Sequence, residues 1–361
     1  MSDSRKDEII RLQNEIIQSM AKRNLRSVYN DFFPASPVSP ASPAGGDGKP
    51  ARPSDEILAG KNGGAAAAST GDGKTTTDAK AEEVPKEKLE DLLAELNGYI
   101  GLNTVKEEVD QLVHWIQMQQ LRKQHDLPTS DLSLHMVFSG NPGTGKTTIA
   151  RFLSKIFHSL GILSKGQLVV VDRGDMVAGY VGQTAIKTKD VIDKAMGGVL
   201  FIDEAYALNG RSENDFGQEA IDTILKAMED HRDDLVVIVA GYTELMDRFI
   251  HSNPGLESRF NRFLEFADYT ADELVAILRM QCKKGCYTLD EGVEALVRDY
   301  ITEENADSDS FGNARGVRNI FEHILVAQNN RLAAMEKVTK EDLMKITEDD
   351  VLHARGKIDE E

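Results

Sequence analysis

The sequence predicts an α/β domain, a parallel sheet flanked by helices, with a smaller helical domain behind it. Three observations lead there. Between residues 135 and 240, short β-rich apolar runs alternate with segments of helical periodicity, and strands apolar on both faces belong to a parallel sheet covered on both sides. After about Tyr269 such runs cease and helical periodicity alone continues. A glycine-rich turn joins the first run to the helical segment behind it, the strand-to-helix connection that cradles phosphates.

Taken in order, residues 1–33 read as an amphipathic helix, with Ile9, Leu12, Ile16 and Met20 at helical spacing. It is either a peripheral helix packed on the body or on another copy, or a docking peptide on a tether. Residues 34–85 are a disordered Pro/Gly/Ala/Ser-rich linker: seven of the ten prolines lie there, and it has too little apolar surface to offset the entropy of ordering. The large α/β domain spans 86–269. It opens with helices around Leu89–Leu96 and from about Thr104 to Lys123. Strands are expected at His135–Ser139, Leu168–Val171, Val199–Ile202 and Leu235–Ala240, with helices at Ile149–Leu160, Lys187–Met196 and Gly217–Asp230 between them. The helical domain spans 270–361. A capping box at Thr270–Glu273 opens it, and helices follow near 291–304, 316–334 and 340–354.

Composition narrows the function. The 361 residues carry 42 basic against 60 acidic side chains, a net charge of −18, which disfavours general nucleic-acid binding, although a local basic pore escapes that argument. No apolar run approaches the length of a membrane span, and the N-terminus lacks an apolar signal core. Cys282 and Cys286 make no disulfide framework, so the expected compartment is a reducing cytoplasm. The histidines show no metal-ligand spacing. The acid run Glu348-Asp349-Asp350 reads as helix N-terminal or solvated charge.

Gly140-Asn141-Pro142-Gly143-Thr144-Gly145-Lys146-Thr147 fits the phosphate-loop pattern G-x-x-x-x-G-K-[ST] in full, with Thr148 behind it. Glycines let backbone N–H groups approach phosphate oxygens, Lys146 reaches the β/γ-phosphates, and the Thr147 hydroxyl holds Mg²⁺. Gly73-Lys74-Thr75 mimics the ending, but its first glycine would fall on Ala68, so it is rejected. Val199–Ile202 ends in Asp203 and Glu204. A strand there sets Asp203 at the sheet's C-terminal edge to support Mg²⁺, and Glu204 to deprotonate an attacking water. The expected ligands are therefore a nucleoside triphosphate and Mg²⁺.

At these residues the sequence resembles the AAA+ ATPases, and within them the CbbX/stage V sporulation protein K family. The likeness spans roughly residues 95–335 and rests on Leu134–Thr148, Ala178–Thr184, Gly197–Tyr206 and Asn253–Phe260. The resemblance implies an AAA+ P-loop fold with a helical lid, ATP as the nucleotide, assembly with copies of itself into a ring, usually a hexamer, and a protein client. It gives Tyr180-Val181-Gly182 the place of a pore loop that grips client chains; the bland alternative is a buried loop tyrosine. Arg259 and Arg262 take the position of arginine fingers, with Arg262 either a second finger or a salt-bridge partner. Arg315, in Asn313–Arg318, matches sensor 2, and Arg318 supports the helix. Ile100 and Gly101 match the adenine pocket, though core packing explains Ile100 equally well. The fourth strand leads to Tyr242 and Thr243 where the broad family carries a polar sensor 1, often asparagine.

The leading reading is an ATP-driven motor that remodels or threads a protein client through a central pore. Red-type Rubisco activation is the specific alternative, against which the long N-terminal tether counts. A nucleotide-switched scaffold without sustained turnover is the other, and an aligned base at Glu204 argues against it.

Overall fold

The computed structural model describes residues 86–130, 133–180, 182–209, 215–305 and 308–358. The helix and linker expected over 1–33 and 34–85, and Val181, lie outside the described residues.

Two helices lead in: α1 (Leu89–Asn97), which stops at Gly98, and α2 (Asn103–Gln124). Strand β1 (Met136–Gly140) passes into α3 (Lys146–Ser159), then come β2 (Leu168–Val171), α4 (Arg173–Met176), α5 (Thr184–Ala195) and β3 (Val199–Ile202). Helix α6 (Gly217–Asp230), β4 (Val236–Gly241), α7 (Thr243–His251), α8 (Pro254–Arg259) and β5 (Arg262–Phe266) complete this half. The sheet order is β2-β3-β4-β1-β5, and every neighbouring pair is parallel.

Alternation along each strand sorts side chains to two faces. Met136, Phe138, Phe201 and Ile238 pack with α1, α2 and α3, whereas Val137, Leu200, Val237 and Val239 pack with α5, α6, α7 and α8. Phe138 bridges strands, with ring centroids 5.0 Å from Phe266 and 6.3 Å from Phe201. Burying each such ring stabilises by roughly 1.5–3 kcal/mol.

The fifth strand was not among those expected. It alternates, burying Leu264 and Phe266 and exposing Phe263 and Glu265, with Arg262 half-buried on the inner face, so it lacks the apolar run of the other strands.

The C-terminal part holds α9 (Ala271–Lys284), β6 (Thr288–Leu289), α10 (Val293–Glu304), α11 (Ser308–Phe311), α12 (Ala314–Ala333), α13 (Lys340–Met344), β7 (Lys345–Ile346) and α14 (Glu348–Ile358). Its own core joins Leu274, Leu278, Val297, Tyr300, Ile320 and Val351. Thr270 and Glu273 form the reciprocal capping box, with Glu273 N–H donating to Thr270 Oγ1 and Thr270 N–H to Glu273 Oε2 (2.8 Å).

Two expectations are corrected here. Strands do not cease after Tyr269, because β6 and β7 pair in parallel. The helix expected over 340–354 is two helices. A capping box at Thr339 opens α13, Lys345 is extended and pairs with β6, and Asp350 restarts the chain by accepting from Thr347 N–H (2.9 Å). The run Glu348-Asp349-Asp350 is helix N-terminal charge, in the first turn of α14, and within it Asp350 is 1% exposed, with Arg331 Nε and Nη2 donating to its two oxygens at 2.8 and 2.9 Å.

Candidate functional site

The turn from β1 into α3 is built around glycine. Gly143 (φ +73°) and Gly145 (φ +100°) occupy left-handed backbone. A Cβ at Gly143 would sit 2.1 Å from the Gly312 carbonyl oxygen, and one at Gly140 would sit 2.3 Å from that of Phe266. The loop is therefore pressed between β5 and the turn ahead of α12, and only a bare backbone fits. Buried Thr144 donates to Asn141 O (2.8 Å), and Asn141 Nδ2 donates to Asp268 Oδ2 (3.0 Å). Lys146 arches back over the loop, its Nζ donating to Gly140 O (2.7 Å) and Asn141 O (2.8 Å). Thr147 and Thr148 follow in the first turn of α3, whose free N–H groups and dipole favour an anion.

The ends of parallel strands converge on this loop. Asp203 and Glu204 follow β3, and Glu204 is left-handed (φ 47°), which turns the chain sharply at the sheet edge. Burial pulls the Lys146 ammonium down to about 8; Asp203, Asp268 and Glu204 draw it back up while Arg315 adds to the fall. Those four charged groups thus surround one lysine. Tyr206 and Tyr242, the latter just past β4, face each other at 6.3 Å between ring centroids. The donor set suits a nucleoside triphosphate with a hard divalent cation: an ammonium and helix N–H groups for phosphate, a hydroxyl at Thr147 and a carboxylate at Asp203 for the ion.

The C-terminal part closes over the loop from the other side. Asn313, 1% exposed, accepts from Tyr269 N–H (2.9 Å) and donates to Asp268 Oδ1 (2.8 Å) and Pro142 O (3.3 Å). Ala314 N–H reaches Gly143 O (3.3 Å), and Arg315 stands against the same glycine. Arg318 instead pairs along its own helix with Glu322 (2.8 Å). Ile100 and Leu102 pack on the C-terminal core, and a Cβ at Gly101 would meet the Tyr269 ring at 3.0 Å. Ile100, Gly101, Gly143 and Arg315 therefore share one junction.

Arg259 and Arg262 are not brought to it. Arg262 is in register with Met136 at the start of β1, whereas the phosphate loop begins at the other end, Gly140. Four steps of strand separate those ends by about 13 Å. Arg259 lies on its own chain, Nη1 donating to Gly255 O (3.4 Å) and Nη2 standing 3.6 Å from Glu229 Oε2. The Nε of each arginine is buried without a hydrogen-bond partner among the described residues. Burial lowers the Arg262 guanidinium from its ordinary value, with Glu108 opposing.

Tyr180, beyond α4, is 74% exposed, so the bland reading as a buried tyrosine is overturned. A Cβ on neighbouring Gly182 (φ +77°) would meet open space. Ala178 N–H donates to buried Thr184 Oγ1 (3.0 Å), which anchors the loop at its root.

Three residues escaped the sequence reading. Asn313 was legible as part of a motif but not as the bridge between loop and lid. Glu229 meets Arg259, and His135 meets Phe260 next to it, only through the fold, and nothing in their neighbourhoods marks them. Cys282 is buried, its thiol pushed up to about 12 by that burial, and Cys286 is exposed. Among the described residues no cluster of three or more His, Cys, Asp or Glu is arranged to hold a metal, and no helix is long and apolar enough to cross a membrane.

Comparison with known proteins gives the family. The family model described as "ATPase family associated with various cellular activities (AAA)" matches residues 136–268, and the AAA lid domain model matches 270–361. The chain is 40% identical to stage V sporulation protein K of Bacillus subtilis over 265 residues, 73% of this chain and 82% of that protein. It is 44% identical to the chloroplastic ribulose bisphosphate carboxylase/oxygenase activase of Cyanidioschyzon merolae over 273 residues, 75% and 92% of the two chains. A solved RuvB structure from Thermotoga maritima superposes with a TM-score of 0.49 at 18% identity, covering 73% of this chain and 72% of that one.

Proposed function

From the premise that this chain belongs to the AAA ATPase family, in the group of stage V sporulation protein K and the CfxQ proteins, and hydrolyses ATP, we propose that it works as a ring of identical chains that remodels a protein client. The observation that carries this reading is the position of Arg259. It stands at the opposite end of the sheet from its own phosphate loop, so a nucleotide bound there is out of its reach, which supports a role toward the nucleotide of a neighbouring chain. Lys146 and the loop N–H groups hold the phosphates, Arg315 contacts them from the lid, and Thr147 and Asp203 hold Mg²⁺. When bound there, Mg²⁺ would supply positive charge to offset that of the phosphates. Glu204 takes the proton of the attacking water. Arg259 of the adjacent chain stabilises the transition state, a contribution of about 10³–10⁵ in rate in GTPase examples, and Arg262 is either a second finger or a salt-bridge partner. A hexamer in the cytoplasm is the assembly and place that fit this scheme.

The exposed Tyr180 on a glycine-flanked loop supports a pore contact that grips side chains without reading sequence. Tyr180→Ala is expected to retain ATP hydrolysis and lose client remodelling; loss of both together identifies a structural tyrosine instead. Sedimentation alongside ATPase assays tests the assembly. Specific activity should rise with chain concentration as rings form, and a fully active monomer defeats the reading. To find the client, Glu204→Gln protein charged with ATP is used to trap whatever the ring retains. The activase named among its relatives supports a second reading, reactivation of inhibited Rubisco, which a direct reactivation assay decides.

A further inference from the structure

His135 begins the stretch that enters β1 and is 4% exposed. Its Nδ1 accepts the Val237 N–H of β4 at 3.0 Å, and its ring also hydrogen-bonds the backbone of Met228 on α6. With Val237 donating to Nδ1, the other ring nitrogen is the one left to donate to the Met228 carbonyl, which defines a neutral tautomer. The imidazole stands edge-on to Phe260, centroids 6.4 Å apart. Phe260 is the residue after Arg259, and the Arg259 carbonyl is itself pinned by Ser133 Oγ (2.8 Å), two residues ahead of His135. The Arg259 cation is close enough to act on the ring electrostatically.

One side chain thus ties β4, the end of α6 and the α8–β5 connection together beneath Arg259. An apolar residue would fill the same space more cheaply, because a buried imidazole must satisfy two ring nitrogens. Core packing alone does not call for it. We infer that His135 is a positioning residue for Arg259, fixing the backbone from which the guanidinium reaches a neighbouring chain's nucleotide. This rests on the proposed role of Arg259 in trans.

Mixing variants tests it. Glu204→Gln chains have a dead site and an intact finger; Arg259→Ala chains have the reverse, so mixed rings regain activity at junctions that pair an intact site with an intact finger. His135→Phe is expected to lose about 10²-fold in kcat, the scale of a small misplacement, with KM for ATP retained. It should be rescued by Glu204→Gln chains and not by Arg259→Ala chains. Parental activity in His135→Phe overturns the inference. So does rescue by Arg259→Ala, or absence of rescue by Glu204→Gln in a variant that still binds nucleotide. If His135→Phe does not bind nucleotide, His135→Asn, which offers an acceptor near the place of Nδ1, carries the same test; loss of nucleotide binding in both also overturns it. Failure of Glu204→Gln and Arg259→Ala to complement each other is a distinct result, and it removes the trans reading itself together with what rests on it.

Discussion

Glu204 occupies left-handed backbone, a conformation that costs a non-glycine residue about 1–2 kcal/mol. The strain turns the chain at the end of β3 and sets the carboxylate beside the phosphate loop. Glu204→Gln keeps shape and turn but cannot take a proton; steady-state hydrolysis should fall at least about 10²-fold while nucleotide still binds, measured by phosphate release and by fluorescent-nucleotide titration. Lys146 offers a second test. Its ammonium is held near 8 by burial, and bound phosphates restore the charge, so nucleotide binding should take up a proton between about pH 8 and the ordinary lysine value. Affinity should therefore decline as pH rises past 8, and calorimetry at pH 9 in two buffers of different ionisation enthalpy should reveal the uptake. At this scale the phosphate loop and the Asp203–Glu204 pair were legible because each is contiguous in the chain. Asn313, Glu229 and His135 were not, since their partners lie dozens of residues away.

Among the elements, β1, β3 and β4 announced themselves because a central parallel strand is apolar on both faces. β5 hid because charge interrupts it: Phe263 is 55% exposed, and Arg262 and Glu265 break the run, whereas β2, the other edge, is apolar throughout and was read. The α13–β7–α14 region misled for a different reason. A two-residue pairing interrupts a periodicity that otherwise continues, and the pairing is decided by β6, more than fifty residues earlier. The clamp holding that region is the Arg331–Asp350 pair. Burial pushes the Asp350 carboxyl up, but the bonds from Arg331 and Thr347 outweigh it and hold it below the usual range. Its contribution is therefore present above the ordinary aspartate value and lost as pH falls through the folded one. Asp350→Ala strands a partly buried guanidinium and should cost about 2–4 kcal/mol, discounted because Arg331 retains some solvent, as read from denaturant midpoints.

The whole molecule carries an acid sensitivity in His135. Burial holds its imidazole near 4, against about 6.5 when unfolded. The unfolded chain binds the extra proton between those values, so stability is full above about 6.5 and declines as pH falls toward 4, by about 3 kcal/mol in total. His135→Phe should flatten that slope in melts recorded from pH 7 to 4. On the same scale, both halves were foreseeable from composition and periodicity, while the seam between them was not.

That seam has a mechanical outcome. Asn313 fastens the phosphate loop, the connection ahead of α9 and the first turn of α12 with a single amide. Helix α12 runs on for 20 residues, a rod of about 30 Å rooted at that amide. A tilt of only about 5° there sweeps its far tip through roughly 2–3 Å, by the same rise per residue. A small adjustment at the loop would thereby be magnified at Ala333, the far end of the helix.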